Sequence, residues 1–150
     1  MNRSGSVSGH GPDHIANLMA AMDQHQADFV SSSRTLCRLD GTVMGPCPLT
    51  DPELFIDTNA MLFGRGSFQL LHQWVLMPPY GHLIGDRIML HHLKHSGVMR
   101  RHLDHGSVFY RCAKAGLYRQ LNEAIPPGVQ NRPDYEASFK QWKEDNGSTL

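Results

Sequence analysis

The sequence predicts a single α+β domain, mostly helical, with two β-hairpins at about 35–44 and 98–112. Three observations point there. Apolar residues recur at helical spacing over 13–30 and 86–95, while Asp40-Gly41 and Asp104-His105-Gly106 sit as turn signals between short apolar runs. The chain has 150 residues, of which 40% are hydrophobic, enough for one core without disulfide staples.

The first dozen residues, MNRSGSVSGHGP, lack an apolar stretch and read as a disordered Gly/Ser leader over 1–12, not a secretory signal. The main domain is expected over 13–128. Asp13 is placed to cap a helix running to about Val30, with Ile15, Leu18, Met19, Met22, Gln26 and Phe29 on one face and Ser31–Ser33 breaking it. The runs on either side of Asp40-Gly41 then form the first hairpin, since that pair supplies positive φ at a tight turn.

Thr50-Asp51-Pro52-Glu53 has the form of a capping box, and predicts a helix carrying Leu54, Phe55, Thr58, Met61 and Leu62 as far as Gly64. The segment 68–77 fits a helix, and its length favours that over the strand that its alternation also permits. The next helix, 86–95, buries Ile88, Met89, His92 and Leu93 and turns Arg87, His91 and Lys94 to another face. A helix over 113–125 follows the second hairpin. The residues 129–150 read as a C-terminal extension with one short helix bearing Tyr135, Phe139 and Trp142.

Net charge is zero, but residues 87–119 hold seven Lys/Arg against Asp104 alone. Such asymmetry creates a local field that the net figure hides. The order helix, Ser96-Gly97-Val98, Arg100-Arg101, turn, Phe109-Tyr110 and a helix containing Gly116 resembles the distal half of winged helix-turn-helix repressors. The resemblance covers residues 86–121. It implies a winged-helix-like C-terminal half and a small DNA-binding regulator of transcription. In that reading Arg87, His91 and Lys94 face bases in the major groove, and Arg100, Arg101 and Arg111 contact phosphates. A homodimer through the flanking helices would suit a two-fold operator.

Two alternatives stand beside it. One is a small ligand-binding protein or enzyme whose pocket is lined by Trp74, Tyr80, Phe109 and Tyr110, with His92 or His102 as polar group. The other is a protein–protein accessory factor that makes contact through 129–150. His91 and His95 stand four residues apart on a helix, and with His102 they are the candidate ligands for Zn²⁺ or Ni²⁺. No other cofactor is indicated. There is no GxSxG, no phosphate loop at Gly64-Arg65-Gly66-Ser67 and no CxxC among Cys37, Cys47 and Cys112, so the balance leans away from an enzyme. The odd cysteine count suits reduced thiols and a cytoplasmic location, and no apolar run is long enough for a membrane helix.

Overall fold

The computed structural model describes residues 9–129 and 134–147. The chain is an α+β single domain organised by a mixed five-stranded sheet, with helices on both of its faces. The central strand is β2 (Phe29–Cys37), rich in β-branched and small residues. It lies parallel to the long β5 (Arg100–Arg111) and antiparallel to β3 (Val43–Pro46) and β4 (Met61–Phe63). The short β1 (Gly9–His10) pairs with the outer edge of β5, giving the order β1-β5-β2-β3 with β4 beside the first half of β2. Residues 9 and 10, expected in a disordered leader, are therefore part of the sheet, and Gly11 continues the contact through the Ser107 carbonyl. The rest of that leader, 1–8, lies outside the described residues.

Successive residues of β2 point to opposite faces of the sheet, which sets the layering. Val30 packs against Leu18 and Ala21 of α1 (His14–His25), while Phe29 packs against Met89, Leu90 and Leu93 of α3 (Gly85–His95). A third cluster joins Leu36, Cys47 and Cys112 to Leu117 and Tyr118 of α4 (Ala115–Gln120). α5 (Tyr135–Asp145) closes the domain on the α3 side: Trp142 packs with Met77, Ile84 and Ile88. The C-terminal extension thus docks on the body of the chain.

Several elements depart from expectation. α1 ends at His25 because Gln26 adopts a left-handed conformation (φ 49°), and residues 29–33 continue as strand. Its buried positions are His14, Leu18 and Ala21, whereas Ile15 and Met19 are exposed, and the Asp13 side chain makes no cap bond. The helix expected from Thr50 does not form. Asp51 instead accepts from the Glu53 amide, and Asp57 accepts from the Asn59 amide to start a single 3₁₀ turn before β4. Asp, Asn and Thr compete for backbone partners in this way, which works against a continuous helix.

The first hairpin forms, with Gly41 at φ 91° in the turn, although its first strand begins at Phe29. The second hairpin, at 98–112, is replaced by the single strand β5. In it Leu103 pairs with Ser32 and Val108 with Arg34, so the turn-prone residues 104–107 bulge outward instead of reversing the chain. Gly106 fits there because a Cβ would meet the Thr35 hydroxyl at 2.4 Å. The segment 65–76 is helical, as a 3₁₀ stretch (Arg65–Leu71) leading into α2 (His72–Leu76), and α4 is shorter than the expected 113–125. Among the described residues no helix is long and apolar enough to cross a membrane.

Trp142 is 3% exposed. Replacing it with alanine should cost about 3 kcal/mol or more in urea denaturation, as expected for deleting a large buried aromatic. A loss below about 1 kcal/mol would show that α5 contributes little to the fold.

Candidate functional site

Arg34 lies in the middle of the central strand, where the register of β2 against β5 shifts. It is 8% exposed, unusual for a side chain that cannot give up its charge. Asp57 Oδ2 accepts from Arg34 Nη1 at 2.8 Å, and Cys47 Sγ accepts from Nε at 3.2 Å. The guanidinium carbon also lies over the Phe55 and Tyr110 rings, 4.6 and 4.5 Å from their centroids. A cation over two rings gains from both π systems, the more so when shielded from water. The other Asp57 oxygen accepts from the Asn59 amide and side chain at 2.9 and 3.1 Å. Ion pair and hydrogen bonds together satisfy the buried group, and no fully buried side-chain nitrogen or oxygen among the described residues lacks a partner.

Arg34 forms part of the wall of a cavity of about 120 Å³. Tyr110 comes from β5, Asp86 and Arg87 from the first turn of α3, Lys114 from the entry to α4 and Tyr135 from the start of α5. Burial raises the Asp86 carboxyl above its ordinary value of 3.8. Asp57 adds to the effect, and the Arg87 amide, Arg87 and Arg34 oppose it. Burial likewise raises the Tyr110 hydroxyl. The cleft therefore places guanidinium and ammonium groups beside a carboxyl shifted toward its protonated form. Perturbed groups gathered in a concave space mark this cleft as the candidate site.

The residues singled out from sequence occupy varied positions. Arg87 lines this cleft and pairs with Glu136 of α5. His91 lies under α5, edge-on to Trp142 with centroids 5.2 Å apart; burial first, then the neighbouring His95 and His92, brings its pKa down to about 4. Lys94 and Arg100 converge on Glu53, at 3.7 and 3.0 Å. Arg101, next along the strand, projects to the other face of the sheet, the side on which Leu103 packs with α1. Arg111 lies against the Gly41 turn. These six side chains do not share one outward surface.

The metal candidates are not brought together. The His91 and His95 rings lie 4.2 Å apart, tilted to one another, but both ring nitrogens of His102 are engaged by Ser31 and Ser33, at 2.9 and 3.1 Å. Among the described residues no group of three or more His, Cys, Asp or Glu could hold a metal ion. Of the four aromatics expected to line a pocket, only Tyr110 lines the cleft. Trp74 packs on Phe63, the Tyr80 hydroxyl donates to Asp145, and Phe109 is partly exposed. Cys37, Cys47 and Cys112 are free and buried; burial pushes the Cys112 thiol up to about 11, away from the thiolate that nucleophilic chemistry needs. Arg34 and Asp86 were not singled out from sequence as site residues, and Asp57 reads there only as a carboxylate near a helix N-terminus. The available signal was a lone arginine within FVSSSRTLC, a strand otherwise without charge.

Two outcomes follow. Arg34→Met should destabilise by about 3–5 kcal/mol because it leaves Asp57 buried and unpaired, whereas the double variant Arg34→Met/Asp57→Leu should recover most of that loss. Denaturation of the two single variants and the double variant measures the coupling, and strictly additive losses would contradict the pairing. For Asp86, the folded state holds the proton more tightly than the unfolded chain. Its contribution is full below pH 3.8 and is lost as pH rises through the raised folded-state value. Asp86→Asn should remove that downward slope from a plot of stability against pH; an unchanged slope would show that another group causes it.

No family model, curated protein or solved structure matches the chain, so the site rests on its own geometry.

Proposed function

We propose that this protein is a small-ligand-binding domain that captures the carboxylate or phosphate group of an organic anion in the cleft beside Arg34. The observation that carries the reading is a guanidinium buried in the central strand and held by Asp57, Cys47 and two aromatic rings, yet still forming part of a cavity wall. A buried ion pair is a poor device for stability alone, because desolvation consumes most of the Coulombic gain. Held in one rotamer, however, Arg34 has little conformational freedom left to lose on binding, which is the benefit of preorganisation. Arg87 and Lys114 add positive charge on the adjoining walls. The volume of about 120 Å³ lies well below the roughly 300–1,000 Å³ of sites that enclose a whole drug-sized ligand, and suits a head group.

Duplex DNA binding through a winged-helix-like half is the alternative proposal, and rests on the positive charge of residues 87–119. It has less support, because its six basic side chains do not share one outward surface and Lys94 and Arg100 are both drawn to Glu53.

Isothermal titration with acetate, malonate and inorganic phosphate tests the binding reading. At least one should bind with a millimolar or lower Kd at low salt, and Lys114→Gln should weaken it by about tenfold, the loss of one charge-assisted hydrogen bond. Absence of binding by all three, or binding unaffected by Lys114→Gln and by salt, would contradict the proposal.

A further inference from the structure

Away from the Arg34 cleft, where α1 meets β5, His14 and Ser107 form a buried pair. His14 opens α1 and is 2% exposed; Ser107 ends the bulged stretch of β5 and is 7% exposed. His14 Nδ1 and Ser107 Oγ stand 2.7 Å apart, although 93 residues separate them in sequence. The bulge that replaces the expected hairpin turn is what aims Ser107 at the helix, a recurrent use of such irregularities. The Ser32 hydroxyl lies 3.3 Å from Ser107 Oγ. His10 stacks on the His14 ring with centroids 4.5 Å apart, and its Nε2 donates to the Asn59 carbonyl at 3.0 Å. The pair is not sealed. Both side chains line a cavity of about 220 Å³, and Asp13, Asn17, His105 and Phe109, which also line it, are exposed.

We infer that Ser107 is a nucleophile with His14 as its general base, and that the cavity is an acyl-transfer site for short, uncharged esters. This activity stands apart from anion binding beside Arg34. A serine hydroxyl attacks a carbonyl when a neighbouring base takes its proton, and His14 Nδ1 is at the distance required. Burial, and next His10, lowers the His14 pKa from its ordinary value of 6.5, so the imidazole is neutral and ready to accept at neutral pH. The Asn59 carbonyl opposes that shift and so supports the imidazolium as it forms. In the first step the Ser107 Oγ–acyl carbon bond forms, the carbonyl electron pair moves to oxygen, and the hydroxyl proton passes to His14. Collapse breaks the ester C–O bond, and the departing alkoxide takes that proton. Water, deprotonated by His14, then cleaves the acyl-serine and releases the acid. The first turn of α1 lines the cavity, and the positive end of a helix favours the negative charge that gathers on the carbonyl oxygen. Among the described residues no lysine or arginine lines this space, and Asp13 does, which disfavours an anionic acyl group. The volume suits a short acyl chain against Phe109.

Reaction of the full chain with p-nitrophenyl acetate and with a fluorophosphonate, followed by peptide mass mapping, tests the inference. Both reagents should modify Ser107, with p-nitrophenolate released as the acyl group is taken up. Ser107→Ala should abolish both reactions, and His14→Gln should slow them by about 100-fold, with folding checked by circular dichroism. Should His14→Gln not fold, the pH profile of the wild-type chain tests the base. The rate should be level at neutral pH and fall as pH drops through the lowered His14 value, below 6.5. A rate that climbs without a plateau into the alkaline range would overturn the assignment of His14. Ser107 left unmodified by both reagents, or acyl groups found only on histidines or lysines such as His105, would overturn the inference, as would labelling that survives Ser107→Ala.

Discussion

The buried pairing of Arg34 with Asp57 is the constraint around which the rest of this structure is arranged. A guanidinium cannot enter the middle of a sheet without partners for its charge, and here four separate segments supply them. Asp57 comes from the turn before β4, Cys47 from just beyond β3, Phe55 from the loop between them and Tyr110 from β5. These contacts pin the irregular stretch 47–60 to the central strand. That stretch holds little regular structure of its own, and its position depends on the charge it compensates.

The surrounding layers keep the pair dry and bring further ionisable groups to it. α3 is anchored by Ile88, Met89, Leu90 and Leu93, all 3% exposed or less, and this firm seating sets Asp86 and Arg87 at the cleft. α5 is held in turn by Trp142 and adds Tyr135 and Glu136. Burial then acts differently on each titratable group. It favours the protonated carboxyl at Asp86, and neutral imidazole at His91, while Arg34 keeps its charge because it has both a counter-ion and aromatic faces. The cleft thus sets fixed cations beside a carboxyl whose charge depends on pH.

Much of the helical part of the fold was legible in the sequence. The stripes of α3 and α5 appear at the expected spacing, and the Asp40-Gly41 turn stands where its chemistry requires. The misreadings have two causes. At 26–33, helical spacing continues by coincidence into a strand, and only the left-handed Gln26 ends the helix. At 104–106 the turn residues are real, but long-range parallel pairing with β2 turns them into a bulge. At 50–57 a capping-box pattern yields to Asp51 and Asp57 bonding locally. The first two outcomes turn on pairing with strands tens of residues away, whereas at 50–57 one local bonding pattern displaced another. The cleft was less legible still. Arg34, Asp57, Asp86 and Tyr110 are scattered along the chain, and no spacing rule joins them. The basic run at 87–119 was visible, but the carboxylates of Glu53 and Glu136 that occupy three of its cations were not.

The central claim is that the Arg34 guanidinium is rigid, charged and presented to an incoming anion. Nitrogen-15 and carbon-13 NMR of its side chain tests this most directly, with spectra taken before and after addition of a carboxylate. The account predicts a resolved Arg34 signal with slowed rotation about Cζ–Nε, slow exchange with water, and a chemical-shift change that saturates with the added anion. A signal averaged like those of exposed arginines, or one that does not respond to the anion, would contradict it.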